Sequence, residues 1–194
     1  VQALVNPEHP AAAATSTLSK LLAWVLDDTI KAAQRSGAVV RLLHHADWVA
    51  SLLTGDRSTT DWNNCLKLGY NVERLEYPPA LLQQTWASVL PPRVLAPGNL
   101  LGPVLPEISA KTGLPELCEV VAGTTDSIAA FLASGATEVG DAVTSLGSTL
   151  AVKLLSERPV QDARAGLYSH RLGMPNRLST APSAAKEDNK QAPI

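Results

Sequence analysis

No stretch of this sequence gathers lysine and arginine, and the formal net charge is only −2 over 194 residues. A surface for nucleic acid or anionic membrane is therefore not expected. No apolar run approaches the ~18 residues that a membrane span needs. Aromatic residues are scarce, at 4%, so Leu, Val and Ala must do most of the packing. The two cysteines, Cys65 and Cys118, lie far apart. That suits a reducing compartment rather than a disulfide framework, and neither has the spacing of a metal ligand. The phosphate loop G-x-x-x-x-G-K-[ST] and the dinucleotide fingerprint G-x-G-x-x-G are both missing, so any nucleotide site is of neither kind. The chain starts at Val1, with no charged-then-apolar leader before its first periodic segment, and reads as a piece of a longer product.

What is present is enough for a core. Hydrophobic residues make up 45% of the chain, too many for a disordered polymer. Ser16 or Thr17 can cap a helix running to about Gln34, with Leu18, Leu21, Leu22, Val25 and Ile30 at helical spacing and Gly37 beyond its end. Val39 to Leu43 is a short apolar run. Asp47 to Leu53 predicts a helix that buries Trp48, Val49, Leu52 and Leu53 and stops at Gly55. Residues 56–71 are polar and turn-rich. Further helices are expected over Ala80 to Val89, behind Pro78 and Pro79, and over Val104 to Thr112, the last closed by Gly113. An apolar run, 117–122, then enters "GTTD". A helix follows from Ser127 to Ser134, with Ile128, Phe131 and Leu132 on its buried face. Two strands, Ala142 to Leu146 and Leu150 to Leu155, flank a Gly-Ser-Thr turn. Residues 174–194 lack periodicity and are expected to be disordered. The order indicates an α/β protein with too few strands to close a sheet alone.

Two segments can carry chemistry. In "AGTTDS" a strand turns into a helix, at the end of the strand where open α/β sheets keep their ligands. Asp126 there has two accounts. It can cap the helix, which is the simpler reading of these residues alone, although Thr124 or Thr125 would cap as well. It can also serve as a general base toward a sugar hydroxyl, since phosphoryl transfer asks mainly for positioning and charge stabilisation. In "SLGSTLAV", Gly147 permits close backbone approach, and Ser148 and Thr149 offer hydroxyl and N–H groups to phosphate oxygens; a plain tight turn explains the same residues. His44 and His45 read as the edge of a packed helix, His170 is a weak candidate, and Asp61 and Asn63 of "TDWNN" read as bonding local backbone.

Taken in order, "TSTLSKLLAW", "ADWVASLLTGDRSTTDWNNCLKLGYN", "GNLLGPVLPEISAKTGLP", "VVAGTTDSIAAFLASGA" and "GDAVTSLGSTLAV" resemble the FGGY carbohydrate kinases over roughly residues 12–173. The details are most similar to the D-ribulose/D-xylulose kinase-like branch of photosynthetic organisms. The resemblance implies part of an actin-like, ribonuclease-H-like two-domain fold, incomplete at both ends. Residues 1–135 would be the second half of the sugar-binding domain and 136–173 the start of the nucleotide-binding domain. It implies ATP-dependent phosphorylation of ribulose or xylulose, with Asp126 as base. Thr124 and Thr125 would shape the sugar pocket, and Gly147, Ser148 and Thr149 would approach the ATP phosphates. Mg²⁺ would be held mainly by the family's first phosphate hairpin, which is not among these residues, so this chain alone is expected to be inactive. The partners implied are sugar and ATP, in the cytoplasm or plastid stroma. A non-catalytic actin-like interaction module, or a kinase for another polyol such as glycerol, are the alternatives.

Overall fold

The structure is a computed structural model and describes residues 1, 3–147, 150–172 and, as backbone, 180–185. The chain divides into two compact units, Val1–Asp126 and Ser127–Ile194.

In the first unit, Ser16 caps α1 (Thr17–Leu26) by accepting the Ser19 N–H at 3.0 Å. Leu18 and Leu21 of α1 are fully buried. The helix expected to continue to Gln34 instead breaks. The Asp27 carboxylate accepts the Thr29 N–H at 3.0 Å, an Asx turn that competes with the helical ladder. Asp28 takes a left-handed φ of 65°, and α2 (Thr29–Arg35) starts afresh and buries Ile30. The run Val39 to Leu43 forms no regular element; only Leu42 of its apolar residues is buried, and its N–H meets the Val89 carbonyl at 2.9 Å.

The next helix, α3 (His45–Thr54), corrects the expected packing. Asp47 and Ser51 face inward. Trp48, Val49 and Leu52 are 55%, 51% and 46% exposed. The reason is polar. The carboxylate of Asp47 accepts the His44 N–H and meets His44 Nδ1, both at 3.0 Å, so the capping interaction turns the acidic face inward. Gly55, at φ 78°, closes the helix as expected.

Strand β1 (Thr59–Asp61) pairs in parallel with β2 (Arg93–Leu95). Between them lie α4 (Trp62–Leu66) and α5 (Pro79–Leu82). The helix expected over Ala80 to Val89 stops early because the Gln84 side-chain amide donates to the Ala80 carbonyl at 2.9 Å. That carbonyl is the one a continuing helix would give to the Gln84 backbone. A 3-10 turn, Ala87–Val89, follows. Cys65, Leu66, Leu68, Leu81 and Val89 complete the buried core with α1. Strand β3 (Leu100–Pro103) pairs antiparallel with β4 (Glu119–Val121). Between them α6 (Pro106–Thr112) is closed by Gly113 at φ 77°, as the sequence indicated.

In the second unit, α7 (Asp126–Ala133), which opens on the last residue of the first unit, buries Ile128 and Phe131 against Leu155 and Leu172. Leu132, expected inside, is 45% exposed, because two inward positions already fill the short helix's contact. The buried face of α7 thus packs within the second unit. Strands β5 (Ala142–Leu146) and β6 (Leu150–Leu154) form the expected hairpin, in register Leu146 with Leu150. They join β7 (Leu167–Arg171) and β8 (Thr180–Ala185) in a four-stranded antiparallel sheet of order β5-β6-β8-β7. The expected 174–194 tail is thus interrupted by a strand held by backbone ladders on both sides, which need no apolar alternation in sequence. Its remainder lies outside the described residues.

Candidate active site

The first unit assembles a polar cluster around the end of β4. Backbone bonds from Ala122 N–H to the Asn99 carbonyl and from Gly98 N–H to the Ala122 carbonyl, each 2.7 Å, hold the strand's exit. Gly123, Thr124 and Thr125 then make the turn into α7. Asp126 is the first residue of that helix. It therefore sits inside the first turn, where an anionic side chain complements the dipole, and not at the preceding capping position. Its side chain is exposed, with Thr124 and Thr125 half-buried beside it. An exposed carboxylate at a strand-to-helix turn is accessible to a polar ligand.

Behind the turn stands α4. The buried Asp61 carboxylate caps this helix, accepting the N–H groups of Asn63 and Asn64 at 2.9 and 3.0 Å and the Asn64 side-chain amide at 2.5 Å. Burial pushes the Asp61 carboxyl above the usual carboxylate range, and the bonds from Asn64 and Asn63 partly offset this. The cap fixes the backbone of Asn63, a residue only 1% exposed. Asn63 Nδ2 donates to Thr124 Oγ1 at 3.1 Å, so Asn63 reaches across the sequence instead of bonding only local backbone. Its Oδ1 is buried without a hydrogen-bond partner among the described residues.

A cavity of about 20 Å³, the size of one water, lies at this place and is lined by Asp47, Thr59, Thr60, Asp61, Ala122 and Gly123, among others. His44 closes the cluster. Its Nδ1 meets Asp47, with Thr60 Oγ1 at 3.4 Å, and its Nε2 is buried without a partner among the described residues. His44 does mark a packed helix edge, while His45 is exposed. His170 is buried in β7, its ring 5.1 Å from that of Tyr168.

The other candidate segment belongs to the second unit. Gly147 is exposed at the end of β5; Ser148 and Thr149 lie outside the described residues. Among the described residues, no group of three or more His, Cys, Asp or Glu side chains could hold a metal ion, and no helix is long and apolar enough to cross a membrane.

No protein-family model matches the chain. Solved structures do. The xylulose kinase of Rhodospirillum rubrum superposes with a TM-score of 0.71 at 25% identity, over 92% of this chain and 36% of that one. The chain carries part of the fold of the FGGY-type carbohydrate kinases. The xylulose kinase of Bifidobacterium adolescentis gives 0.67 at 23% identity, over 92% of this chain and 40% of that one. The Plasmodium falciparum glycerol kinase, solved with ADP, gives 0.70 at 18% identity, over 86% and 33%. The chain thus spans between a third and two fifths of the length of these kinases. The reach of Asn63 escapes sequence reasoning, because nothing local announces a bond to a residue 61 positions further along the chain. The one available signal is the density of "TDWNN", with more amide and carboxylate groups than a turn requires.

Proposed function

We propose that this chain is part of an ATP-dependent sugar kinase whose substrate is a ketopentose, ribulose or xylulose. The observation that carries the reading is Asp126, an exposed carboxylate opening α7 just past the end of β4, in a chain with the fold of carbohydrate kinases. The Asp126 carboxylate takes the proton of a sugar hydroxyl as that oxygen attacks the terminal phosphorus of ATP. The new bond is oxygen to phosphorus, and the bond that breaks links that phosphorus to the bridging oxygen of the departing ADP. Thr124 and Thr125 line the sugar side. Gly147, Ser148 and Thr149 are assigned to the phosphates, with N–H and hydroxyl groups as donors. Magnesium would supply charge neutralisation on the phosphates, but the described residues offer it no ligand cluster. The chain spans about a third of the length of the kinases it resembles, so the reaction is proposed for the longer product that contains these residues. The likeness to a glycerol kinase supports glycerol as the second substrate to try.

The test uses the longer gene product that contains these residues, with ATP, Mg²⁺ and each of D-ribulose, D-xylulose and glycerol. Asp126→Asn is expected to lower kcat by about 10²- to 10⁴-fold, the usual loss of a general base, with sugar KM changing far less. Absence of turnover in the unsubstituted protein, or an Asp126→Asn variant as fast as its parent, would overturn the reading.

A further inference from the structure

We infer that Asn63 is a positioning residue for the sugar-side turn, acting through Thr124 to make that hydroxyl a committed donor to a substrate oxygen; this rests on the kinase reading above. A threonine hydroxyl can donate one hydrogen bond and accept two, and a freely rotating one is indifferent to what approaches it. Here the rotor is engaged. Asn63 Nδ2 gives a proton to Thr124 Oγ1 at 3.1 Å, and an amide nitrogen has no lone pair to accept one back. Thr124 must therefore point its own proton elsewhere, and accepting a bond strengthens the one it gives.

Asn63 is held in place by its surroundings. Its backbone is fixed by the Asp61 cap at 2.9 Å and its side chain is buried. A reversed amide would set its Oδ1 against Thr124 Oγ1, where the hydroxyl would have to donate to it. The observed orientation leaves Thr124 as acceptor toward Asn63 and donor toward the open side of the turn, where Gly123 and Asp126 are both exposed. Division of labour follows between two residues. The Asp126 carboxylate can only accept, and it takes the proton of the reacting hydroxyl. The Thr124 hydroxyl donates outward, and it holds a second oxygen of the same polyol. A neighbouring pair of hydroxyls is thereby read in one orientation, which a single carboxylate could not enforce.

The experiment is a double-substitution cycle in the longer gene product, with D-xylulose, D-ribulose and glycerol as probes. Asn63→Ala and Thr124→Val are each expected to raise the sugar KM about tenfold, the worth of one hydrogen bond felt equally in ground and transition states, with kcat moving much less. The double variant should be no worse than the worse single one, because Asn63 has nothing left to act through. Thr124→Ser, which keeps the hydroxyl, should restore a near-normal KM. Multiplying effects in the double variant, or an unchanged KM in Thr124→Val, would overturn the inference. If the unsubstituted protein phosphorylates none of the probes, the kinase reading fails by itself. The Asn63–Thr124 link is then read in the 194-residue chain by amide hydrogen exchange at residues 123–125. Both single variants should speed that exchange and the double no further; exchange indifferent to Asn63→Ala would sink the link as well.

Discussion

At the scale of the residue, Asp61 carries two opposed effects. It satisfies three donors around the start of α4, yet it is nearly inaccessible to water, and burial raises its pKa. A carboxyl whose folded pKa is raised holds its proton more tightly in the native state. Its contribution is whole below the unfolded value near about 4 and is lost as pH climbs through the raised folded value. Asp61→Asn keeps an acceptor for the backbone N–H groups and carries no charge. It should flatten the stability profile just above about pH 4. Asp61→Ala keeps neither, and should cost about 1–2 kcal/mol at neutral pH, the usual loss of an N-cap. Urea titrations of the two variants across this range would separate the cap from the charge; an Asp61→Asn profile as steep as the parent's would refute the burial argument.

At the scale of the element, the short connection after α4 depends on Gly69. Its φ is 100°, and a Cβ built there would lie 2.6 Å from Leu81 Cδ1 and 3.1 Å from Val5 Cγ1. Leu81 has no room to yield, since it is fully buried. Gly69→Ala therefore combines left-handed strain with overpacking and should cost about 2–4 kcal/mol. Adding Leu81→Ala should return part of that loss, so the unfolding midpoint of the double variant should fall by less than the sum of the two singles.

The elements also show what the sequence could disclose. The β5–β6 hairpin, the Gly-stopped ends of α3 and α6 and the strand-to-helix turn at Asp126 were legible, because glycine conformations and alternation are local rules. The break at Asp27, the early end of α5 and the inward face of α3 were not. Each is decided by one side chain, Asp27, Gln84 or Asp47, taking a backbone group that periodicity assigns elsewhere. The candidate site divides the same way. Asp126 stood out from its turn, whereas the role of Asn63 could be recognised only once the fold had brought α4 beside Thr124.

At the scale of the whole molecule, the two units differ in self-sufficiency. The first gathers its core from α1, α2, α4, α5 and the 3-10 turn before β2. Among the described residues, the second rests on Ile128, Phe131, Leu155 and Leu172 with a few half-buried neighbours. Residues 1–126 alone should therefore give a single cooperative thermal transition with native-like far-ultraviolet circular dichroism; a broad, non-cooperative loss of signal would show that the first core needs the rest of the chain. The division at Asp126/Ser127 falls inside a continuous helix and not in a loop. That denies evolution a clean cassette. Any recombination exchanging one unit for a relative's at this division cuts beside residue 126, and so rewrites its surroundings.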